Sequence, residues 1–547
     1  MGGRALETVR KHSHILCVSR AFVPLKLQRR ASAHHLYYGI ANDSQANSAA
    51  LQSICGPAIV PSMAITKRAK HVVLFPFPGQ GHLASFLAIA RLLVRELPGA
   101  AVTLVSTPRN VAAMRSSLQA VEHSSSINFH ALPFVPADHG LPAGCESTSS
   151  LPVPAFIKLF EAFETLEPAF DAYLSGLRGD DICVVADVFV AWTVCAARRR
   201  GCAHAVAVSC GALGTAIFHA LWSHMPALPF TASDSDGGDG TLRLPELPPG
   251  MVLERSQLSP AFLFRGELSD RWTAFYHRTM RHGHRTDAVL ANTVEELEPT
   301  GLAMMRRALA NGKVKVPVWP IGPLVRGDDD SDNGGVLRWL DSQPPSSVLY
   351  ISFGSQNTIQ QKQMTELAAA LEATGRPFVW AIRPPVGSDI AGEFRDEWLP
   401  EGFEARARSG NRGRLVRGWA PQVRILAHAS TGAFLSHCGW NSVLESMAHG
   451  VPVIGWPLAA EQFYNATLLA EEWGVCVEVA RGNLPSSRVE RANVAEAVET
   501  VMGDTPESAE MRWRVAEVQE VMRAAWAEDG GSSRAAMHEF LRAMRLK

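Results

Sequence analysis

Apolar residues in this chain form short continuous runs followed by helical spacings, a pattern that predicts parallel strands alternating with helices. His71 to Phe77 is an almost wholly apolar run, and it leads into Pro-Gly-Gln-Gly-His at 78–82. Ala101 to Ser106 is the next apolar run. Between them, apolar residues recur at helical spacing: Leu83, Phe86, Leu87, Ala90, Val94 and Leu97. The chain therefore opens with a predicted β-α-β unit.

The second half of the chain repeats this alternation. Ser347 to Phe353 predicts a strand that runs into the turn Gly354-Ser355-Gln356, and Phe378 to Ile382 and Gly413 to Val416 predict further strands. Gly432 to Leu435 predicts another strand, which stops at His437. Cys438-Gly439-Trp440 then forms a tight turn into a helix predicted over Asn441 to Ala448. Two α/β arrays in one chain indicate two open-sheet domains.

The composition between the arrays predicts a domain boundary. Residues 317–323 contain three prolines, and residues 328–335 form an acidic, Gly-rich run. We expect a first domain over 63–323, a linker over 324–345 and a second domain over 346–529. Gly530-Gly531-Ser532-Ser533 precedes a short final helix within 530–547.

Overall composition limits the possible functions. The chain has 547 residues, of which 47% are hydrophobic and 19% charged, enough for two sizeable cores. A net charge of −1 gives no support for a nucleic-acid or membrane-surface partner. The nine cysteines include no C-x-x-C pair, which favours free thiols in a reducing compartment. The longest charge-free stretch, Gly201 to Ser233, contains three histidines and several Gly and Pro residues, so it predicts a strand and a helix. We expect a monomer without integral membrane association.

The turn before the helix at Asn441 predicts an anion site, because unpaired backbone N–H groups and the positive end of the helix dipole meet there. His437, Asn441 and Ser442 can donate hydrogen bonds to phosphate oxygens. Glu445, one helical turn later, can accept from vicinal hydroxyls. Each residue also has an ordinary alternative: Asn441 and Ser442 are common helix-start residues, and Glu445 can be a solvated charge.

One aromatic residue and two polar residues flank that anion site along the chain. Trp419 offers a flat face for a base, although a tryptophan is more often part of a core. Glu461 and Gln462 follow the next predicted strand, Val451 to Trp456, and can bind a sugar. These residues and the anion site together suit a nucleotide that carries a sugar.

His82 lies where the first strand ends, the place at which open α/β sheets form their sites. A neutral imidazole there can take a proton from a hydroxyl, and the alternative is a helix-start histidine bonded to nearby backbone. Asp187 ends another apolar run, Ile182 to Ala186. Because parallel strands end along one edge of a sheet, His82 and Asp187 can meet; the alternative for Asp187 is a plain helix N-cap.

The first turn also satisfies a dinucleotide-binding fingerprint, Gly79-x-Gly81-x-x-Ala84. That fingerprint requires an acidic residue about 20 residues later, and the chain has Ser106-Thr107-Pro108-Arg109 at that point. NAD would therefore lack the acidic residue that binds its ribose. NADP stays possible, because Arg109 can accommodate its 2′-phosphate. An NADP-dependent oxidoreductase is therefore the alternative enzyme class.

Residues 419–462 resemble the plant secondary-product signature of the family 1 UDP-dependent glycosyltransferases. The resemblance covers 44 residues without a gap: W-A-P-Q at 419–422, H-C-G-W-N-S at 437–442, Glu445, and E-Q at 461–462. Pro-Gly-Gln-Gly-His at 78–82 and Asp187-Val188-Phe189 are similar to two further segments of the family.

The resemblance implies a fold and a reaction. The fold is the glycosyltransferase B-type, with two Rossmann-like domains facing across a cleft, and the last helix crosses back onto the first domain. The reaction is transfer of glucose from UDP-glucose, with inversion, to a hydroxyl of a small lipophilic acceptor such as a flavonoid, another phenolic, a terpenoid or a hormone. No metal cofactor is expected, since no Asp-x-Asp cluster stands near the signature. A non-catalytic nucleotide-sugar binder remains a second alternative.

The resemblance also assigns roles. His82 would be the catalytic base and Asp187 its partner. Trp419 would stack on uracil, Glu445 would bind the ribose, and Gln462 favours glucose as the sugar. The remaining donor residues are Ser355, which lies in a second phosphate-contacting turn, Ala420 and Gln422 of the W-A-P-Q segment, His437, Asn441 and Ser442 at the pyrophosphate, and Trp440 and Glu461 at the sugar.

Residues 1–62 differ from the rest of the chain. They are basic and rich in Ser and Ala, and Glu7 and Asp43 are their only acidic residues. This composition is typical of an organelle transit peptide, but Met63 just before the first strand favours an upstream extension or a tail without a fold. We therefore expect a cytoplasmic protein, with a plastid or mitochondrion as the alternative.

Overall fold

The structure is a computed structural model, and it describes residues 69–118, 126–177, 181–227, 240–263, 266–311, 314–325, 335–390, 392–480, 482 and 489–547. The predicted extension at 1–62 and the acidic, Gly-rich run before residue 335 lie outside the described residues. The predicted domain boundaries therefore stay a prediction.

The described strands alternate with helices, as the apolar pattern predicts. In chain order the strands are Lys70–Phe75 (β1), Ala101–Ser106 (β2), Ile127–Ala131 (β3), Asp181–Asp187 (β4), Ala203–Val208 (β5), Thr241–Leu242 (β6), Leu253–Glu254 (β7), Ala288–Ala291 (β8), Ala310–Asn311 (β9), Val314–Lys315 (β10), Val318–Pro320 (β11), Val348–Ser352 (β12), Phe378–Ile382 (β13), Gly413–Arg417 (β14), Thr431–Ser436 (β15), Val453–Gly455 (β16) and Cys476–Glu478 (β17).

The helices connect these strands and cover both faces of the sheets. They are Gln80–Glu96 (α1), Pro108–Leu118 (α2), Phe156–Glu164 (α3), Glu167–Gly176 (α4), Thr193–Arg199 (α5), Ala212–His224 (α6), Pro260–Leu263 (α7), Glu267–Gly283 (α8), Pro299–Ala308 (α9), Val336–Leu340 (α10), Gln361–Thr374 (α11), Phe403–Ser409 (α12), Gln422–Ala427 (α13), Trp440–Ala448 (α14), Gln462–Thr467 (α15), Arg491–Met502 (α16), Pro506–Ala524 (α17) and Ser532–Ala543 (α18).

The first lobe is built on a seven-stranded sheet in the order β11-β8-β5-β4-β1-β2-β3. Its strands pair in parallel, and β1 lies between β4 and β2. Val72, Val73, Leu74 and Phe75 are fully buried, which explains why β1 is an unbroken apolar run rather than an alternating one. The strand and helix predicted for Gly201 to Ser233 are β5 and α6, within the part of that stretch that the structure describes.

The second lobe is built on a six-stranded parallel sheet in the order β14-β13-β12-β15-β16-β17. In both lobes, helices pack on the two faces of the sheet, with apolar side chains filling the layers between. The prediction of two Rossmann-like open-sheet units is confirmed. No helix in the described part of the chain is both long and apolar enough to cross a membrane.

The chain returns to the first lobe at its carboxyl end. Met537, Phe540 and Leu541 of α18 are fully buried in one cluster with Val72 and Leu74 of β1. Just before α18, the Trp526 indole N–H donates to the carbonyl of Gly322 at 2.9 Å. These contacts stabilise the two lobes relative to each other.

Helical spacing of apolar residues predicts one helix over Phe156 to Leu177 and another that continues from Asp187 through Phe189, Trp192, Thr193 and Ala196. Both are interrupted in the structure. The periodic segment Phe156 to Leu177 is split into α3 and α4, and Pro168 lies in the first turn of α4, because the proline ring permits a helix start but not a helix interior. The helix predicted after Asp187 begins instead as a short 3₁₀ turn, Val188–Val190, and α5 starts only at Thr193. Those two predictions were wrong in their boundaries.

Candidate active site

A cleft of about 440 Å³ lies between the carboxyl ends of the strands of the two sheets. The start of α1 and parts of α6 and α8 line it from the first lobe, and the starts of α13, α14 and α15 line it from the second. Its volume is in the range of pockets that hold small ligands. Eleven of the thirteen residues predicted for the site line this cleft: His82, Ser355, Trp419, Ala420, Gln422, His437, Trp440, Asn441, Ser442, Glu461 and Gln462. The other two, Asp187 and Glu445, lie behind its wall.

His82 and Asp187 are in direct contact although 105 residues separate them. The Nδ1 atom of His82 lies 2.7 Å from Oδ2 of Asp187, and the aspartate is completely buried. The second carboxylate oxygen, Oδ1, accepts from the backbone N–H of Phe189 at 3.0 Å. Because a carboxylate can only accept, this contact places the imidazole hydrogen on Nδ1 and leaves Nε2 free to take a proton.

The charge around His82 sets its basicity. Burial disfavours the imidazolium, but the charge and hydrogen bond of Asp187 outweigh this effect, and the nearby Glu461 carboxylate acts in the same direction as Asp187, so the pKa of His82 is raised above its ordinary value. Its side chain keeps 21% of its surface exposed to the cleft. The arrangement is that of a general base with an orienting carboxylate.

Two glycine turns hold the His437 imidazole beside the start of α14. A Cβ atom on Gly354, whose φ is +81°, would lie 2.5 Å from Nε2 of His437, and a Cβ on Gly439 would lie equally close. Only glycine therefore allows both turns to close on the ring. Burial lowers the pKa of His437 to about 4, so the ring is neutral near pH 7 and can donate one hydrogen bond.

The side chains behind the W-A-P-Q segment form a hydrogen-bonded group. The amide nitrogen of Gln422 donates to Oγ of Ser442 at 3.0 Å and to Oε2 of Glu445 at 2.7 Å, and the Tyr350 hydroxyl donates to Oε1 of Gln422 at 3.2 Å. Glu445 is only 1% exposed, so the alternative hypothesis that it is a solvated surface charge is wrong. Trp419 is 40% exposed, so it is not a core residue.

Glu461 and Gln462 lie at the end of the cleft nearest His82. The Oε1 atom of Gln462 accepts from the backbone N–H groups of Leu458 and Ala459 at 3.0 and 2.9 Å, which orients its amide nitrogen. Burial raises the pKa of Glu461, while the nearby His82 and hydrogen bonds from Cys210 and Asn465 act in the opposite direction. A carboxylate and an amide here can accept from and donate to the hydroxyls of a sugar.

The side chain of Asn441 spans the cleft to the segment that carries His82. Its Nδ2 donates to the carbonyl of Gly81 at 3.0 Å, and its Oδ1 accepts from the Ser85 hydroxyl at 3.2 Å. The neighbouring Trp440 indole N–H donates to the carbonyl of Asn292 at 2.6 Å. The start of α14 is thus tied directly to the first lobe, a connection that the sequence did not predict.

We expect Ser85→Ala to lower kcat about 3- to 10-fold with little change in KM for the donor. The substitution removes one hydrogen bond from Asn441 and leaves a part-buried oxygen unsatisfied, which costs ~1–3 kcal/mol in a folded site, but it removes no group that lines the cleft. Steady-state kinetics against donor concentration measure the effect. Ser117→Ala in α2, where the hydroxyl bonds only to its own helix, should leave kcat unchanged, and equal effects of the two substitutions would contradict a positioning role.

The described residues contain no group of three or more His, Cys, Asp or Glu side chains arranged to hold a metal ion. Arg109, the residue that left NADP open, does not line the cleft; its backbone N–H donates to Glu146 at 2.9 Å, and its guanidinium packs over the turn at Gly144. Arg109 is therefore not placed to bind a phosphate in this cleft.

Sequence reasoning missed the first-lobe end of the cleft, which is lined by aromatic rings: Phe77, Phe160, Phe189, Phe218, Trp222, Trp272 and Tyr276. Part of the signal was present, since Trp272 and Tyr276 are four residues apart in a segment with helical spacing and thus share one face of α8. Their partners come from α3, α6 and the turns after β1 and β4, and only the tertiary structure brings them together.

Comparison with known proteins identifies the family. Residues 335–512 match the family described as UDP-glucoronosyl and UDP-glucosyl transferase, and residues 69–228 match the glycosyltransferase N-terminal domain. UDP-glycosyltransferase 92A1 of Arabidopsis thaliana is 36% identical over 491 residues, which cover 87% of this chain and 97% of the relative. The chain belongs to the plant UDP-glycosyltransferase family.

Other members of this family extend the likeness. Crocetin glucosyltransferase 3 of Crocus sativus is 38% identical over 450 residues, covering 77% of this chain and 89% of the relative. The structure of Phytolacca americana UGT2 complexed with UDP-2fluoro-glucose and pterostilbene has a TM-score of 0.68 to this chain at 27% identity. The match covers 87% of this chain and 99% of that one. The family assignment and the glycosyltransferase B-type fold predicted from the sequence are confirmed.

Proposed function

We propose that this UDP-glycosyltransferase transfers glucose from UDP-glucose to a hydroxyl of a small lipophilic acceptor, with inversion at the anomeric carbon. The observation that carries the proposal is that one cleft contains a carboxylate-paired imidazole, His82, and the start of α14, which favours anions. The hydrogen bond from Asn441 to Gly81 connects these two features directly. Crocetin glucosyltransferase 3 and the Phytolacca americana UGT2 complex with UDP-2fluoro-glucose support the same donor.

In the proposed reaction, Nε2 of His82 takes the proton of the acceptor hydroxyl while that oxygen attacks the anomeric carbon. The bond between the anomeric carbon and the phosphate oxygen breaks, and UDP leaves with the bonding electrons. A single displacement of this kind inverts the anomeric centre. Asp187 stabilises the imidazolium that forms, because its buried carboxylate already accepts from Nδ1.

The start of α14 would offset the charge that develops on the departing UDP. Helix geometry leaves the first backbone N–H groups of α14 without partners in a preceding turn, and Trp440 and Asn441 at this end of the helix both line the cleft. The neutral His437 ring and the hydroxyls of Ser442 and Ser355 add donors for phosphate oxygens. Preorganised donors of this kind are usually a large part of the stabilisation of a transition state.

The remaining donor residues keep the roles that the resemblance implies, as proposals. Trp419 would stack on uracil from its exposed face, with Ala420 beside it, and Glu445 would bind the ribose. Gln422, whose amide donates to Oε2 of Glu445, would be a further residue of the donor site. Glu461 and Gln462 would bind the glucose hydroxyls near His82. A cytoplasmic location and a monomeric state remain further expectations from the sequence.

Release of UDP tests this function directly. With UDP-glucose and a panel of phenols and alcohols, we expect UDP to appear together with a product heavier by one hexosyl unit in mass spectrometry. NADPH should neither bind nor be consumed, and EDTA should leave the rate unchanged because the proposal assigns the phosphates to protein donors. Tight binding of UDP-glucose without turnover on any acceptor would support the non-catalytic binder, and a rate that chelation abolishes would contradict the metal-independent mechanism.

A further inference from the structure

The carboxylate of Glu461 is held by donors from both lobes. Glu461 lies directly before α15 in the second lobe, where it is half-buried. The thiol of Cys210, in the turn between β5 and α6 of the first lobe, donates to this carboxylate, and so does the side-chain amide of Asn465 in α15. The backbone N–H of Glu461 is a further donor. A carboxylate has about four acceptor positions, so these donors fix its orientation and leave room for a ligand hydroxyl.

The Asn465 amide also supports the turn that precedes α14. Its Nδ2 donates to the carbonyl of Cys438 at 3.0 Å. Cys438 has a φ of +61°, in the left-handed region that a residue with a side chain rarely adopts. Asn465 is only 1% exposed and does not line the cleft. One buried amide therefore connects the turn of the predicted anion site to the carboxylate of the predicted sugar site.

Helix α6 of the first lobe packs tightly against this amide and carboxylate. A Cβ atom on Gly214 would lie 2.9 Å from Oδ1 of Asn465 and 3.1 Å from Cβ of Glu461, both shorter than the ordinary separation of non-bonded heavy atoms. Only glycine therefore allows α6 to come this close. The lobe that carries His82 thus supplies one donor to Glu461 and confines the other.

We propose that Cys210 and Asn465 are positioning residues for the donor sugar, because they hold the Glu461 carboxylate in the orientation that accepts from a sugar hydroxyl. The inference rests on the proposed function, which places the glucose at Glu461. A hydrogen bond weakens steeply when its angle departs from linear. A carboxylate released from these donors would keep its charge but lose much of its bond to the sugar. The nucleotide is assigned to other residues of the cleft, so its binding should depend little on Cys210.

The test compares UDP-glucose with UDP, which share the nucleotide and differ by the sugar. Isothermal titration calorimetry without an acceptor gives both affinities. We expect Cys210→Ala to weaken UDP-glucose about 3- to 10-fold relative to UDP, since a thiol is a weak donor. Cys210→Ser keeps a donor and should restore the ratio to within about twofold of the wild-type value. An alanine variant with the wild-type ratio, or a serine variant no better than alanine, would overturn the inference.

The matched control is Cys195→Ala. Cys195 is also a half-buried free thiol, but it contacts the Arg285 guanidinium at 3.3 Å and does not line the cleft. Its loss should leave the affinities for UDP and UDP-glucose unchanged. A shift of the ratio equal to that of Cys210→Ala would overturn the inference, because it would show a general response to the loss of a thiol.

Two further variants act on the Asn465 amide. Asn465→Leu has a similar shape without a donor, and we expect it to weaken UDP-glucose at least 10-fold relative to UDP. Gly214→Ala should change the ratio in the same direction by displacing the amide, while alanine favours the helical conformation of α6. Equal losses of UDP and UDP-glucose affinity in both variants would show that Asn465 supports only the turn at Cys438, which would overturn the inference.

Failure of the proposed function gives a different result. If the affinity ratios change as expected but the wild-type protein releases no UDP with any acceptor, the proposed function is contradicted and the inference about the sugar stands. If the wild-type protein turns over and the ratios stay constant across the Cys210, Asn465 and Gly214 variants, the inference is overturned and the proposed function stands.

Discussion

Replacing His82 with alanine is expected to lower kcat by ~10²- to 10⁴-fold, the usual contribution of a general base. Without the imidazole, the acceptor hydroxyl would have to attack while it still carries its proton or lose that proton to water. The ring contacts Asp187 and lies among Phe77 and Phe189, and it is not part of the predicted phosphate site. Affinity for UDP, measured by calorimetry, should therefore change little.

The matched control for this variant is His428→Ala. His428 also pairs with a carboxylate, Asp341 at 3.1 Å, but it does not line the cleft. Its loss should leave kcat within about twofold, as is usual for surface ion pairs. Near-normal turnover by His82→Ala on a proven acceptor would show that the base lies elsewhere.

Replacing Asp187 with asparagine should lower kcat by at least ~10²-fold and move the acidic limb of the pH profile to lower pH. Turnover requires neutral His82, so the rate falls as pH drops through the pKa of His82. The carboxylate holds that pKa above its ordinary value against the effect of burial, and Glu461 is the other charged group acting on the ring. Removing the Asp187 charge lowers the pKa, and the ring then stays neutral to lower pH.

The pH dependence of kcat measures this shift, and it distinguishes a positioning role from simple loss of fold. Asp171→Asn is the control, because Asp171 pairs with Arg199 and Arg200 and does not line the cleft. It should leave the profile in place. If the acidic limb of the Asp187→Asn enzyme lies at the same pH as the wild-type limb, Asp187 does not set the pKa of His82.

The sheets were predictable because buried parallel strands leave a strong local pattern. β2 and β13 begin and end where their apolar runs do. The contact of His82 with Asp187 was also predictable, since both follow strands of one parallel sheet and such strands end at one edge. The donor residues followed from a resemblance over 44 consecutive residues, and their placement around one cleft agrees with it.

What the sequence could not supply depends on how the two lobes meet. The bond from Asn441 to Gly81 joins residues 360 positions apart in different lobes, and no local spacing encodes that distance. The aromatic end of the cleft combines rings from separate elements of the first lobe, each of which also fits an ordinary core position. Helix boundaries at Pro168 and after Asp187 were missed because a short break leaves the apolar spacing almost unchanged.

The position of the bound donor shows whether His82 and the start of α14 act on the same molecule. A crystal structure with UDP-2-fluoroglucose should place the diphosphate within hydrogen-bonding distance of the backbone N–H groups at the start of α14, with the anomeric carbon facing Nε2 of His82 across the space for an acceptor oxygen. A diphosphate bound away from α14, or an anomeric carbon on the far side of the cleft from His82, would contradict the account.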